Sequence, residues 1–159
     1  MAKAWKIPDL NPDEPLGECL GKILRARFGE MISYEEGTIA GADIEFLHSM
    51  RVSSRRVQAA LKIFREAFPQ KKFRAEYVQI RTLIRALGEV RNFDVFIQKL
   101  EKFREGFNAK DIKALELLIA RQKALRTEKR KMLVKTLNYL NRIDYKKNFE
   151  TFLESALET

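Results

Sequence analysis

The chain has 159 residues, 45% hydrophobic and 10% aromatic, with a net charge of +9. That length fits one domain, residues 1–159 with an extended opening segment over 1–14, and the apolar content excludes a disordered tail. The single Cys19 excludes a disulfide framework and a multi-cysteine zinc site, and the scarcity of glycine and proline, with no proline beyond Pro69, disfavours a turn-rich sheet.

The opening stretch, MAKAWKIPDLNPDEPL, has no apolar core of a signal peptide. No apolar run approaches the roughly 18 residues of a membrane span, so the expectation is a soluble, cytoplasmic protein. A first helix is predicted from Pro15 to Glu36, opening on a first-turn proline. Its apolar stripe is Leu16, Leu20, Ile23, Leu24, Met31 and Ile32. GTIAG (37–41) reads as the break after it. Asp43 is placed to cap a second helix, with Glu45 in the first turn, and that helix ends at Pro69. A third runs from Lys71 through Phe103, weakened in its interior by Gly88. EGFN (105–108) is the next break. A long fourth helix follows from Lys110 to Asn141, with Ile112, Leu115, Ile119, Met132, Leu133, Leu137 and Leu140 on its apolar side. NRID interrupts, and a short amphipathic helix from Tyr145 to Leu157 closes the chain. These lengths and short breaks predict an all-α fold, an antiparallel four-helix bundle with a short additional C-terminal helix.

Charge is segregated along this plan. Residues 1–45 carry a net −4, residues 46–147 a net +16, and residues 148–159 a net −3. A positive middle implies an anionic partner more strongly than the total does. On the second helix, His48, Arg51, Arg55 and Lys62 fall within about 60° of one another. Phe46, Met50, Val57, Leu61, Phe64 and Phe68 take the roughly opposite side, and Arg56 and Arg65 lie off the stripe. On the third helix Arg74, Arg81 and Arg85 form a similar column, with Gly88 beside it and Phe73, Tyr77, Ile80, Leu83, Ile84 and Leu87 on the other side. Like charges one turn apart destabilise a helix by a few tenths of a kcal/mol each, so a helix selected only for solubility would interleave acids. Between Phe46 and Arg65 there are none. Arginine holds phosphate oxygens bidentately, and cations about 6 Å apart along a helix suit a linear polyanion better than one phosphate. Nucleic acid is the alternative ligand. Against it, the stripe interleaves no aromatics for base stacking. Arg91 and Asp94 are spaced to pair locally, and Arg121, Lys131 and Lys135 read as a solvated face of the fourth helix.

DIEFLHSMRVSSRRVQAALKIF resembles the signature of the CHAD family, the conserved histidine α-helical domain. Asp43, Glu45, His48, Arg51, Val52, Arg55 and Arg56 match its pattern, Lys62 fits a later basic position, and Gln58 stands where arginine is common. LIRALGEVRNFDVFIQKL resembles the second signature through Leu87, Gly88, Arg91, Asp94 and Val95, with Asn92 in place of an Asp. The resemblance implies a helical domain that binds inorganic polyphosphate, associates with polyphosphate granules, and in full-length members has two similar four-helix halves. This chain covers about one half, so the expectation is a homodimer in which a second copy replaces the missing half. The expected binding residues are His48, Arg51, Arg55, Lys62, Arg81, Arg85, Arg74, Arg56 and Arg91. Catalysis, a cofactor and a metal are not expected: there is one histidine, no Walker-type phosphate loop, and no nucleophile–base pair.

Overall fold

The computed structural model describes residues 3–7 and 9–156, and every regular element among them is helical. Six α-helices follow in order: α1 (Leu16–Ile32), α2 (Glu35–Ala40), α3 (Ile44–Ile63), α4 (Gln70–Phe103), α5 (Ala109–Arg142) and α6 (Tyr145–Glu154). α3 ends at Ile63, short of the expected Pro69, and a 3-10 turn at Arg65–Ala67 follows it; a second, at Arg104–Gly106, overlaps the break expected at 105–108. The predicted end of the last helix, Leu157, lies outside the described residues.

Capping follows the sequence where side-chain chemistry dictates it. The Asp43 carboxylate accepts from the Glu45 N–H at 2.8 Å. Asn108 accepts from the N–H groups of Lys110 and Asp111, both at 3.1 Å. Each cap satisfies donors that the first helical turn leaves open.

The expected break at GTIAG is met only at its last residue, Gly41, while a further turn falls earlier, at Ser33–Tyr34, and residues 35–40 form α2. Gly37 is required by a close approach: a Cβ there would overlap the ring of Phe46. Gly41 is the true stop, at φ +70° in the left-handed region that favours glycine. Phe46 is accordingly not a core residue. Its ring lies over α2 and remains 41% exposed. Leu16 and Met132, both expected on apolar faces, are also exposed.

The core is built where the helical periods overlap. Leu20, Leu24, Phe28 and Met31 of α1 meet Met50, Val57 and Leu61 of α3. Ile80, Leu83, Leu87 and Val90 of α4 and Leu133, Leu137 and Leu140 of α5 extend it. α6 seals the open end with aromatic rings: Phe149 stacks on Phe28 at 3.9 Å and Phe152 on Phe68 at 4.2 Å. A second small cluster, Ile97, Leu115 and Ile119, ties the far ends of α4 and α5. α4 lies between α3 and α5, while α6 packs on α1, α4 and α5.

α4 and α5 are further joined by ion pairs that run in opposite chain directions, Glu89–Lys129 at 2.9 Å and Glu101–Lys123 at 2.9 Å. Between them, Arg126 bonds the buried Asp94. The local pairing expected of Arg91 with Asp94 is therefore replaced by a long-range one. Asp94 faces inward, toward α5. Gly88 does not interrupt α4, whose helix is continuous through it.

Candidate functional site

Two contacts fix how α3 and α4 face each other. The Gln58 side-chain amide donates to the Tyr77 hydroxyl at 3.2 Å. Seven residues earlier on α3, the Arg51 Nε lies 3.6 Å from where a Cβ on Gly88 would stand. The helices are thus antiparallel neighbours, and the Arg51 side chain lies against α4 at Gly88. Gln58, the departure from the family pattern, bridges the two helices.

By helical period, His48, Arg55 and Lys62 share the side of α3 that carries Arg51, and Arg74, Arg81 and Arg85 lie within about 60° of Gly88 on α4. Arg55, Lys62, Arg74, Arg81 and Arg85 are exposed, while His48, Arg51 and Arg91 are half-buried. Val78, Arg81, Thr82 and Arg85 bound a shallow depression of about 230 Å³ on α4.

Among the described residues, none of His48, Arg51, Arg55, Lys62, Arg74, Arg81, Arg85 and Arg91 forms an ion pair with a carboxylate. Elsewhere the basic helices do find acids, as Lys123, Arg126, Lys129 and Lys131 show. At the seam, His48 Nδ1, Arg51 Nε and Arg91 Nη1 are buried and have no hydrogen-bond partner among the protein atoms. A buried donor left unmade costs about 1–3 kcal/mol, and unneutralised like charges repel along the seam. An anion supplies acceptors and countercharge together.

Arg56 departs from the expectation. It is bonded to Glu30, which is fully buried on α1 and also pairs with Arg27 at 3.3 Å. The Trp5 N–H donates to the same carboxylate at 3.4 Å, and Arg27 donates to the Trp5 carbonyl at 2.8 Å. Arg56 therefore joins α3 to α1 and the N-terminal segment. The sequence signal for this hub was an acid on the core side of α1, spaced three residues from Arg27.

One other titratable group is strongly perturbed. Glu76 lies on the inner side of α4 and accepts a hydrogen bond from the Tyr145 hydroxyl. Burial pushes its carboxyl up from 4.5 to about 7, and the bond from Tyr145 opposes that only in part. Burial, then the Glu76 charge, holds the Tyr145 phenol well above its ordinary range. This pair faces away from the seam and fastens α6 to α4.

The described residues hold no group of three or more His, Cys, Asp or Glu side chains placed to bind a metal. None of their helices is long and apolar enough to cross a membrane. No curated protein and no solved structure matches the chain. The family model described as CHAD domain matches residues 22–158, a span that contains α3, α4 and the seam between them. The chain belongs to the CHAD family.

Proposed function

We propose that this protein is a non-catalytic module that binds inorganic polyphosphate along the α3–α4 seam. The observation that carries the reading is that, among the described residues, His48, Arg51, Arg55, Lys62, Arg74, Arg81, Arg85 and Arg91 of α3 and α4 have no carboxylate partner, with His48 Nδ1, Arg51 Nε and Arg91 Nη1 buried and without a hydrogen bond. Arg51, Arg55, Lys62, Arg81 and Arg85 are its principal contacts. His48, Arg74 and Arg91 extend it, and Arg56 supports α3 from behind through Glu30. The CHAD family's association with polyphosphate selects that ligand among linear polyanions. In the same reading the domain is one half of a two-bundle architecture and works as a homodimer, in the cytoplasm and at polyphosphate granules.

Nucleic acid would use the same cations, but base stacking needs exposed aromatic faces. The aromatics nearest the seam, Phe73 and Tyr77, are half-buried and stacked on each other at 5.4 Å. The deciding experiment is titration with polyphosphate, with duplex DNA as competitor at matched phosphate concentration and physiological salt. Preference for polyphosphate is expected. Equal or stronger binding of DNA overturns the ligand assignment, and failure to bind either polyanion at low salt overturns the site.

A further inference from the structure

Among the described residues the buried acids are Glu30, Glu35, Glu76 and Asp94. All but one meet a cation: Glu30 pairs with Arg27 and Arg56, Glu35 with Lys146, and Asp94 with Arg126. A carboxylate taken out of water needs such a partner, because desolvation penalises its charge. Glu76 has none among the described residues. Its Oε1 accepts from the Tyr145 hydroxyl, and its Oε2 takes no hydrogen bond from the described residues. Lys72, one turn earlier on α4, is exposed and forms no ion pair with it.

Glu76 lies in the wall of a cleft of about 290 Å³ between α4 and α6. Gln79, Asn148 and Thr151 line the same cleft, and each carries an oxygen acceptor. The Asn148 amide nitrogen is committed, donating to the Ile143 carbonyl at 2.8 Å, so its Oδ1 is the free atom. Ile143 and Phe152 add apolar wall. The cleft therefore combines a carboxyl that lacks a countercharge, further acceptors, and surface for a few carbons. A hard metal ion takes six or more oxygen ligands, and the described residues hold no group of three or more metal-binding side chains. An ammonium brings one positive charge and three donors on a carbon stem.

We propose that the α4–α6 cleft binds a small organic primary ammonium, whose charge pairs with Glu76 Oε2 and whose carbon chain lies on Ile143 and Phe152. Burial holds the Glu76 carboxyl at about 7, so near neutral pH a proton and the ammonium compete for the same oxygen. Tyr145 and Lys72 are the other titratable groups lining the cleft. Burial holds the Tyr145 phenol well above its ordinary range, so it stays a donor to Oε1 throughout. Lys72 adds a like charge, exposed and therefore screened by solvent and salt. The site is independent of the cations on α3 and α4 and of the choice of polyanion.

Titration of the full chain with n-butylammonium chloride, followed by NMR at constant ionic strength and without polyphosphate, tests it. n-Butanol serves as the neutral isostere and MgCl2 as the metal control. Saturable binding about tenfold tighter than that of n-butanol is expected, because the bond to Glu76 is charge-assisted. Affinity should rise about tenfold from pH 6 to pH 8 as Glu76 ionises through 7. Glu76→Gln should abolish binding with helical circular dichroism and polyphosphate affinity unchanged. Thr151→Leu, at an exposed position on the cleft, should weaken it about tenfold by filling space the ligand needs. No saturable binding, equal binding of n-butanol, or displacement of the amine by equimolar Mg²⁺ overturns the proposal. So does retained binding in either variant. Loss of amine and polyphosphate binding together in Glu76→Gln would make Glu76 a structural residue and also overturn the site. A wild type that binds the amine but no polyphosphate sinks the polyanion reading alone.

Discussion

Arg51 and Arg55 sit one turn apart on α3 but in different settings, one laid over Gly88 with a buried Nε and the other open to solvent. Arg51→Ala and Arg55→Ala should each weaken polyphosphate binding roughly tenfold, about 1.4 kcal/mol, while Lys110→Ala leaves it nearly unchanged. Arg51→Lys should recover little, because an ammonium cannot reproduce the planar fork. Equal effects at all three positions, measured by titration at fixed salt, would refute the seam. Arg126 presents the opposite case, a cation whose role is to neutralise a buried acid. Arg126→Ala strands Asp94 in the core and should destabilise the fold by about 3–5 kcal/mol in urea unfolding. Glu76 makes stability depend on pH. Its folded value of about 7 lies above its ordinary 4.5, so the folded state holds a proton that the unfolded chain releases. The stabilisation is complete below about pH 4.5 and is lost as pH rises through 7. Relative to Glu76→Gln, the wild type should lose on the order of 3 kcal/mol between pH 4.5 and 8. Parallel stability curves for the two proteins would show that Glu76 is not responsible.

At the scale of elements, glycine does three different jobs here. Gly41 ends a helix by adopting positive φ. Gly37 continues a helix and admits the Phe46 ring. Gly88 sits within an unbroken α4 beside the Arg51 side chain, where a methyl group would also fit. The distinction predicts different outcomes for one substitution. Gly88→Ala places its methyl 3.6 Å from Arg51 Nε, an ordinary contact, so the better helix former should stabilise by about 0.5–1 kcal/mol. Gly37→Ala meets the Phe46 ring and should cost about 1–3 kcal/mol. Thermal unfolding of Gly37→Ala in a Phe46→Ala background should show most of that cost removed. The same reasoning explains why only the last residue of GTIAG breaks the helix. Two glycines in five residues look like a loop, but only one of them is in a backbone conformation that needs glycine.

At the scale of the molecule, the concentration of cations on α3 and α4 sets how binding depends on salt. The α3–α4 seam should release counterions on binding a polyanion, so affinity should fall steeply between 0.05 and 0.2 M salt, in isothermal titration or fluorescence competition. A flat salt dependence would remove the electrostatic basis of the site. What the sequence by itself determined is the local part. Helical periods and the two basic columns repeat at 3.6 residues, and the Asp43 cap depends on neighbours within a turn. The family signatures were legible for the same reason, being contiguous. What only the tertiary structure decided is which partner each side chain meets across helices. Arg56 and Arg91 look like further members of a basic set, yet Glu30 claims Arg56 from 26 residues away. Asp94 pairs 32 residues onward with Arg126 instead of with its local neighbour Arg91. Met132 repeats with Leu133 in the sequence, but one is exposed and the other buried. A helix's own period says which residues share a face. The packing of the other helices decides which face is covered, and that depends on contacts between residues far apart in the chain.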